Sequence, residues 1–195
     1  MAKKRAPKRL PPAAGPSGAV YQLKISLTHS QPPIWRRVEV PDCTLAKLHE
    51  IIQACMPWQN YHLWSFEAGR NRYSREVDRE LGFQDASTVR LARLVEAGVQ
   101  KLRYTYDFGD DWQHQVQVEK ILPAEPEVHY PRCTAGKCAC PPEDCGGIWG
   151  YQELLAILAD PNHEEHQQRL EWVGGPFDAE AFDLSATNRA LRGPG

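Results

Sequence analysis

The sequence has no apolar run approaching the roughly 18 residues needed to span a bilayer. Its 42% hydrophobic content is spread in short segments instead, enough to build a core. The basic N-terminus is followed by no apolar stretch, so no secretory signal pattern is present. The expected compartment is the reducing cytoplasm, where stable disulfides are disfavoured. No Gly-x-Ser-x-Gly elbow, Walker loop, dinucleotide fingerprint or His-Glu-x-x-His occurs, which removes four common enzyme classes. Asp107-Phe108-Gly109 has no glycine-rich phosphate loop or catalytic-loop motif beside it, so it is not a kinase signal. No internal repeat is present, which excludes solenoids. Acidic residues are missing from residues 1–18, which carry Lys3, Lys4, Arg5, Lys8 and Arg9. That segment is +5, and the remainder holds the other 18 basic residues and all 25 acidic ones, a balance of −7. The composition of residues 1–18 is that of a disordered basic tail able to make weak phosphate contacts with nucleic acid.

From Val20 the pattern becomes period two. Tyr21, Leu23, Ile25 and Leu27 alternate with polar residues, as do Ile34, Arg36, Val38 and Val40, predicting two strands joined by a turn over 29–33. On such a strand Arg36 and Arg37 point to opposite faces, suggesting an ion pair for one and solvent for the other. Leu45, Leu48, Ile51, Ile52 and Cys55 have helical spacing, with Asp42 or Thr44 as N-cap and Pro57 ending the helix. A strand through Trp64 and Phe66, a turn at Ala68-Gly69 and a return strand near Tyr73 follow. Trp58, Tyr61, Trp64 and Phe66 are expected in the core. Residues 75–90 read as loop, and 89–95 fits a helix or a strand. Leu102 to Phe108 and Trp112 to Glu119 form the clearest hairpin. Residues 123–149 are rich in proline and glycine and read as irregular. Helices are predicted over 151–158, 164–172 and from Leu184 or Ser185 to Leu191, with Ser185 as a cap. The order predicts one α+β domain over 19–192: a mixed sheet packed on a helix in a β-grasp-like arrangement, a cysteine-rich loop, then C-terminal helices.

Two constellations can carry chemistry. Cys133, Cys138, Cys140 and Cys145 lie within thirteen residues. Four thiolates suit tetrahedral zinc, as do three completed by His129, His163 or His166. A packed loop without metal and a redox pair are the alternatives. The second is Tyr106-Asp107-Phe108-Gly109-Asp110-Asp111-Trp112-Gln113-His114. Carboxylates Asp107, Asp110 and Asp111 suit a divalent cation, and an Asp/His pair with His114 suits general-base work. The same residues also make ordinary turns, and His114 falls on the apolar face.

These stretches give the chain a resemblance. Tyr21-Gln-Leu-Lys-Ile, Pro33-Ile-Trp-Arg-Arg, Leu48-His49, His62-Leu63, Tyr106-Asp-Phe-Gly-Asp with Trp112 and His114, and Cys140-Pro-Pro-Glu-Asp-Cys-Gly-Gly with Gly150-Tyr151 carry it. Asp160-Pro161, Phe177-Asp178, Phe182-Asp183 and Asn188-Arg189 complete it. The chain resembles the plasmid pRiA4b ORF-3-like family, whose members are also labelled TnpR-like passenger proteins of insertion elements. The resemblance spans residues 20–192. It implies a compact prokaryotic α+β domain, found on mobile elements. Cys133, Cys140 and Cys145 match the family pattern and Cys138 is an addition, which favours three cysteines plus another group. The nucleophilic serine of a serine recombinase has no counterpart here. Three readings stand: an interaction or accessory domain held by its cysteine loop, a metal-dependent hydrolase or nucleic-acid-processing factor using the acidic hairpin, and a DNA-binding accessory protein.

Overall fold

The computed structural model describes residues 18–76 and 80–193. The expected disordered tail falls on residues 1–18, of which all but Gly18 lie outside the described residues, together with Lys3, Lys4, Arg5, Lys8 and Arg9.

The period-two segments fold as read. Strand β1 (Ala19–Leu27) pairs antiparallel with β2 (Trp35–Pro41), and Tyr21, Leu23, Ile25, Val38 and Val40 are buried. Helix α1 (Leu45–Cys55) is capped by Thr44, whose Oγ1 accepts from the Lys47 N–H at 3.2 Å. Its apolar stripe, including Cys55, is fully buried against the sheet residues. Strand β3 (Trp64–Ala68) turns through Gly69 into β4 (Asn71–Ser74).

The stretch expected as loop then contains a strand. β5 (Phe83–Asp85) pairs parallel with β4, and none of its three residues is buried, so it leaves no alternation to read. The ambiguous segment resolves as helix α2 (Leu91–Glu96). β6 (Lys101–Tyr106) and β7 (Trp112–Pro123) form the predicted hairpin in the register Tyr106↔Trp112, Tyr104↔His114, Leu102↔Val116.

The expectation of irregular structure over 123–149 is corrected at both ends. β7 runs through Pro123, and β8 (Arg132–Lys137) adds to the outer side of β2. An edge strand needs one set of backbone partners and no buried alternation. Helix α3 (Gly147–Ala159) begins before Tyr151, after a left-handed Gly146. Helix α4 (His166–Trp172) starts two residues later than predicted. Helix α5 (Leu184–Arg192) is capped by Asp183, not Ser185: the Asp183 carboxylate accepts from the Ala186 N–H at 2.8 Å.

The sheet has eight strands in the order β5-β4-β3-β6-β7-β1-β2-β8. Residues of α1, α2 and α3 join those of the strands in one apolar cluster. This is the expected α+β domain with a mixed sheet packed on helices. The strand order does not establish the β-grasp detail. No helix among the described residues is long and apolar enough to cross a membrane.

Arg36 lies on the buried face of β2 and is 2% exposed. Its Nε donates to the Cys55 carbonyl at 3.0 Å, and Nη1 donates to the Trp35 and Lys137 carbonyls at 2.9 Å each. The guanidinium sits 4.4 Å from the centre of the Phe182 ring. Arg37, on the other face, forms the ion pair, at 2.6 Å from Glu119. Arg36 therefore ties β2 to the end of α1, to β8 and to the segment before α5. Arg36→Ala would leave the buried Cys55 carbonyl without this donor, at roughly 1–3 kcal/mol, and would empty the space beside Phe182, at a further cost of roughly 2 kcal/mol. The expected loss is about 3–5 kcal/mol by urea denaturation, with Arg36→Met losing less because it refills the volume. A loss below about 1 kcal/mol for the alanine variant would contradict this account.

Candidate functional site

Two long-range pairings assemble the site. Antiparallel pairing sets Trp64 of β3 opposite Tyr106 of β6. The next pair outward is therefore Leu63 and Asp107, and the Asp107 N–H donates to the Leu63 carbonyl at 2.8 Å. His62 thereby arrives beside Asp107. The cysteine-rich loop then docks across both. Trp58 Nε1 donates to the Pro141 carbonyl at 3.0 Å, the Gln59 N–H donates to Glu143 at 2.8 Å, and the Tyr106 hydroxyl donates to the same Glu143. Asp144 follows Glu143 and completes the group.

The result is a His/Asp/Asp centre. His62 Nδ1 lies 3.7 Å from Asp107 Oδ2, and His62 Nε2 lies 3.2 Å from Asp144 Oδ1. Among the described residues, His62, Asp107 and Asp144 are the one group of three or more His, Cys, Asp or Glu residues whose ligand atoms all lie within 4.8 Å of one another. His62 Nε2 is screened from solvent and makes no hydrogen bond, although Asp144 Oδ1 lies 3.2 Å away. Asp107 and Asp144 both have left-handed backbones, with φ of 56° and 57°. Such conformations are uncommon for residues with a side chain, and they collect at functional sites. Asp107 Oδ1 accepts from the Gly109 N–H at 2.8 Å, which turns Oδ2 toward His62.

The other predicted site residues are dispersed. Asp110 holds the docked loop, accepting from the Gly146 N–H at 3.2 Å. Asp111 is left-handed, with φ of 54°, and accepts from the Gln113 side chain at 2.8 Å. His114 is fully buried, with Nδ1 3.0 Å from the Trp112 carbonyl, and burial lowers its pKa to about 4. It packs between Trp58 and Tyr104 and is a neutral core residue at neutral pH.

Cys133 and Cys138 are buried, and Cys140 and Cys145 are half-buried. Among the described residues, no three cysteine sulfurs gather within ligand distance of one another. Burial raises the pKa of all four thiols, that of Cys145 to about 12. Glu165, at the predicted charged helix start, pairs with Arg169 in water-facing positions.

Sequence reasoning named Asp107 but missed His62 and Asp144 as its partners. Their meeting depends on β3–β6 pairing, between segments some forty residues apart. The available signal was that His62-Leu63, Tyr106-Asp107 and Glu143-Asp144 all fall in the stretches that carry the family resemblance. Of the aromatics expected in the core, Trp58, Trp64 and Phe66 are buried, but Tyr61 is 75% exposed. Phe108 and Trp149 are exposed as well, each close in sequence to a residue of the centre or its supporting loop.

The family model described as plasmid pRiA4b ORF-3-like protein matches residues 19–186. An uncharacterised protein, y4hQ of Sinorhizobium fredii, is 41% identical over 178 residues, covering 89% of this chain and 91% of its own length. The crystal structure of a protein of unknown function, MM3350 from Methanosarcina mazei Go1, is 43% identical with a TM-score of 0.80, covering 85% of this chain and 96% of that one. The chain belongs to the plasmid pRiA4b ORF-3-like family.

Proposed function

We propose that this member of the plasmid pRiA4b ORF-3-like family is a divalent-metal-dependent hydrolase centred on His62, Asp107 and Asp144. The observation that carries the reading is the convergence of one imidazole and two carboxylates, from three separate segments, within 4.8 Å. One nitrogen and two oxygens suit a borderline or hard divalent cation such as zinc or manganese. Three protein ligands leave coordination positions for water and substrate, the arrangement of catalytic rather than structural sites. A cation there would lower the pKa of bound water and polarise a substrate oxygen. Glu143 is committed to Tyr106 and Gln59, so its role is to hold the loop that carries Asp144.

The test is metal content and calorimetric titration with manganese and zinc, beside hydrolysis of nitrophenyl esters and phosphodiesters. The wild-type protein is expected to bind one cation per chain at this centre. Asp107→Asn and Asp144→Asn, which tolerate a left-handed backbone, are expected to weaken binding at least tenfold and abolish metal-stimulated turnover without lowering the melting temperature. Equal binding by both variants would refute the centre. Zinc held by Cys133, Cys138, Cys140 and Cys145 is a separate proposal. Its mark is zinc that survives His62→Ala and leaves on Cys140→Ser.

A second reading is an accessory domain acting through an interaction surface. It is favoured by the exposed Tyr61, Leu63, Phe108 and Trp149. Turnover lost in Asp107→Asn would exclude it as the whole function.

A further inference from the structure

We propose that the hollow between the β6–β7 hairpin tip and the start of α3 is a binding site for an alkylguanidinium group. It shares the hairpin tip with Asp107 but needs no metal at the His62 centre. The hollow holds about 400 Å³. The tip contributes Asp110, Asp111 and Gln113 to its lining, and α3 contributes Trp149 and Gln152. Among the described residues, no Lys or Arg lines it.

The hollow follows from how three elements meet. Pairing sets Leu27 opposite His114, so the chain leaving β1 runs past the start of β7. The Thr28 N–H and hydroxyl both donate to the Gln113 carbonyl, at 2.8 Å each, and Thr28 joins the lining there. The α3 start is seated on the tip by the bond from the Gly146 N–H to Asp110 at 3.2 Å. Trp149 and Gln152 lie three residues apart on the helix and so share a side of it. Trp149 is 82% exposed, which leaves most of its indole for a ligand.

The charge of the lining selects a cation. Asp110 Oδ2 accepts from Gly146, and Asp111 Oδ2 accepts from the Gln113 side chain at 2.8 Å. Neither carboxylate has an ion-pair partner among the described residues, and each keeps Oδ1 without a hydrogen bond. The partial charge of the α3 start offsets roughly half an elementary charge. Thr28 and Gln113 also border a neighbouring hollow that carries Lys101, Arg103 and Glu67. Arg103 lies 3.4 Å from Glu67, as does Arg72 at 3.3 Å, and Lys101 stands opposite Gln117, about 13 Å along β7 from Gln113. Setting Glu67, Asp107, Asp110, Asp111 and Asp144 against Arg72, Lys101 and Arg103 still leaves the surroundings negative.

The indole narrows the class of cation. A cation over an indole face is attracted by the ring. A guanidinium is flat and carries five N–H donors, so it can stack on Trp149 while donating to the free carboxylate oxygens and to the glutamine carbonyls. An ammonium has three donors and no flat face.

The experiment is calorimetric titration of the full chain in buffer containing a chelator, which keeps the His62 centre free of metal and separates this site from that reading. The probes are agmatine and the blocked peptide acetyl-Ala-Arg-Ala-amide. Saturable binding of one probe per chain is expected. Asp111→Asn, which tolerates the left-handed backbone, is expected to raise Kd about tenfold, and Trp149→Leu about fivefold, both with unchanged melting temperature. Tighter binding of the peptide would name an arginine within a polypeptide as the source, and tighter binding of agmatine a free guanidine. The same peptide with citrulline for arginine keeps the shape without the charge and is expected not to bind. Wild-type affinity in both variants, or binding of the citrulline peptide as tight as that of the arginine peptide, would overturn the proposal. Absence of saturable binding by either probe would overturn it too. Cadaverine binding as tightly as agmatine would overturn the guanidinium assignment. Full displacement of agmatine by equimolar manganese in Asp107→Asn, without chelator, would reassign the carboxylates to a metal ion.

Discussion

Gly147→Ala is expected to cost about 3 kcal/mol of stability and to weaken cation binding at the His62 centre at least tenfold. The backbone at Gly147 is left-handed, with φ of +66°, and a Cβ there would lie 2.3 Å from the Asp110 carbonyl oxygen. A non-glycine residue in that conformation costs roughly 1–2 kcal/mol. The overlap adds about 1–3 kcal/mol, because both atoms belong to backbones that cannot swing aside. The relief available is to lift the cysteine-rich loop off the hairpin tip. That movement would break the bond from the Gly146 N–H to Asp110 and carry Asp144 away from His62. Gly98→Ala is the control: its φ is +87° but nothing lies within 4 Å of the added Cβ. It should lose only the conformational part and keep full cation affinity. Urea denaturation and calorimetric titration of both variants check the pair. Equal losses from the two would mean that the Gly147–Asp110 approach carries no energy of its own.

The parts of this fold that were legible in the sequence are those in which one residue's neighbours suffice. The alternation through β1, β2, β6 and β7 reports a sheet face buried on one side, and the α1 stripe reports a helix with one buried face. β5 and β8 were not legible because each is a short strand defined by its partner's backbone. β8 in particular lies in a stretch whose glycine and proline argue for loop, yet Gly136 is needed there: a Cβ would fall 2.5 Å from the Phe182 ring. The site follows the same division. Asp107 is visible because a carboxylate at a hairpin tip beside glycine is a recognisable pattern. His62 and Asp144 become its neighbours only through sheet pairing and loop docking, which no local window contains. His114 was drawn into the candidate set by the same pattern, although its place on the apolar face already argued for the core.

Acid should unfold this protein earlier than its carboxylates alone would require. Two histidines, His49 and His114, are buried, and burial lowers the pKa of each to about 4 from an ordinary value near 6.5. His49 is locked between Tyr104, whose hydroxyl lies 2.8 Å from Nδ1, and Asn60, whose side chain lies 2.7 Å from Nε2, and it stacks on Trp64 at 4.1 Å. His114 Nε2 makes no hydrogen bond, and the backbone groups of Trp112 and Tyr104 near the ring only partly offset the cost of burying a charge there. The folded state therefore binds fewer protons than the unfolded chain between about pH 6.5 and pH 4. Stability from the neutral rings is complete above that pH, is withdrawn as the pH falls, and is gone near pH 4. The size is on the order of 3 kcal/mol for each ring, enough together to remove most of the stability of an ordinary domain. Carboxylates held low by partners, such as Glu119 beside Arg37, lose their contribution only at the acid end of this window, so the decline that begins near pH 6.5 belongs to the histidines. Melting temperature followed from pH 7.5 to pH 4 should fall throughout. His114→Met, which fills the space without a titrating group, should flatten that fall by about half, whatever it does to stability at pH 7.5. Parallel curves for the two proteins would show that His114 does not titrate on unfolding, and would remove burial of a neutral ring as the cause.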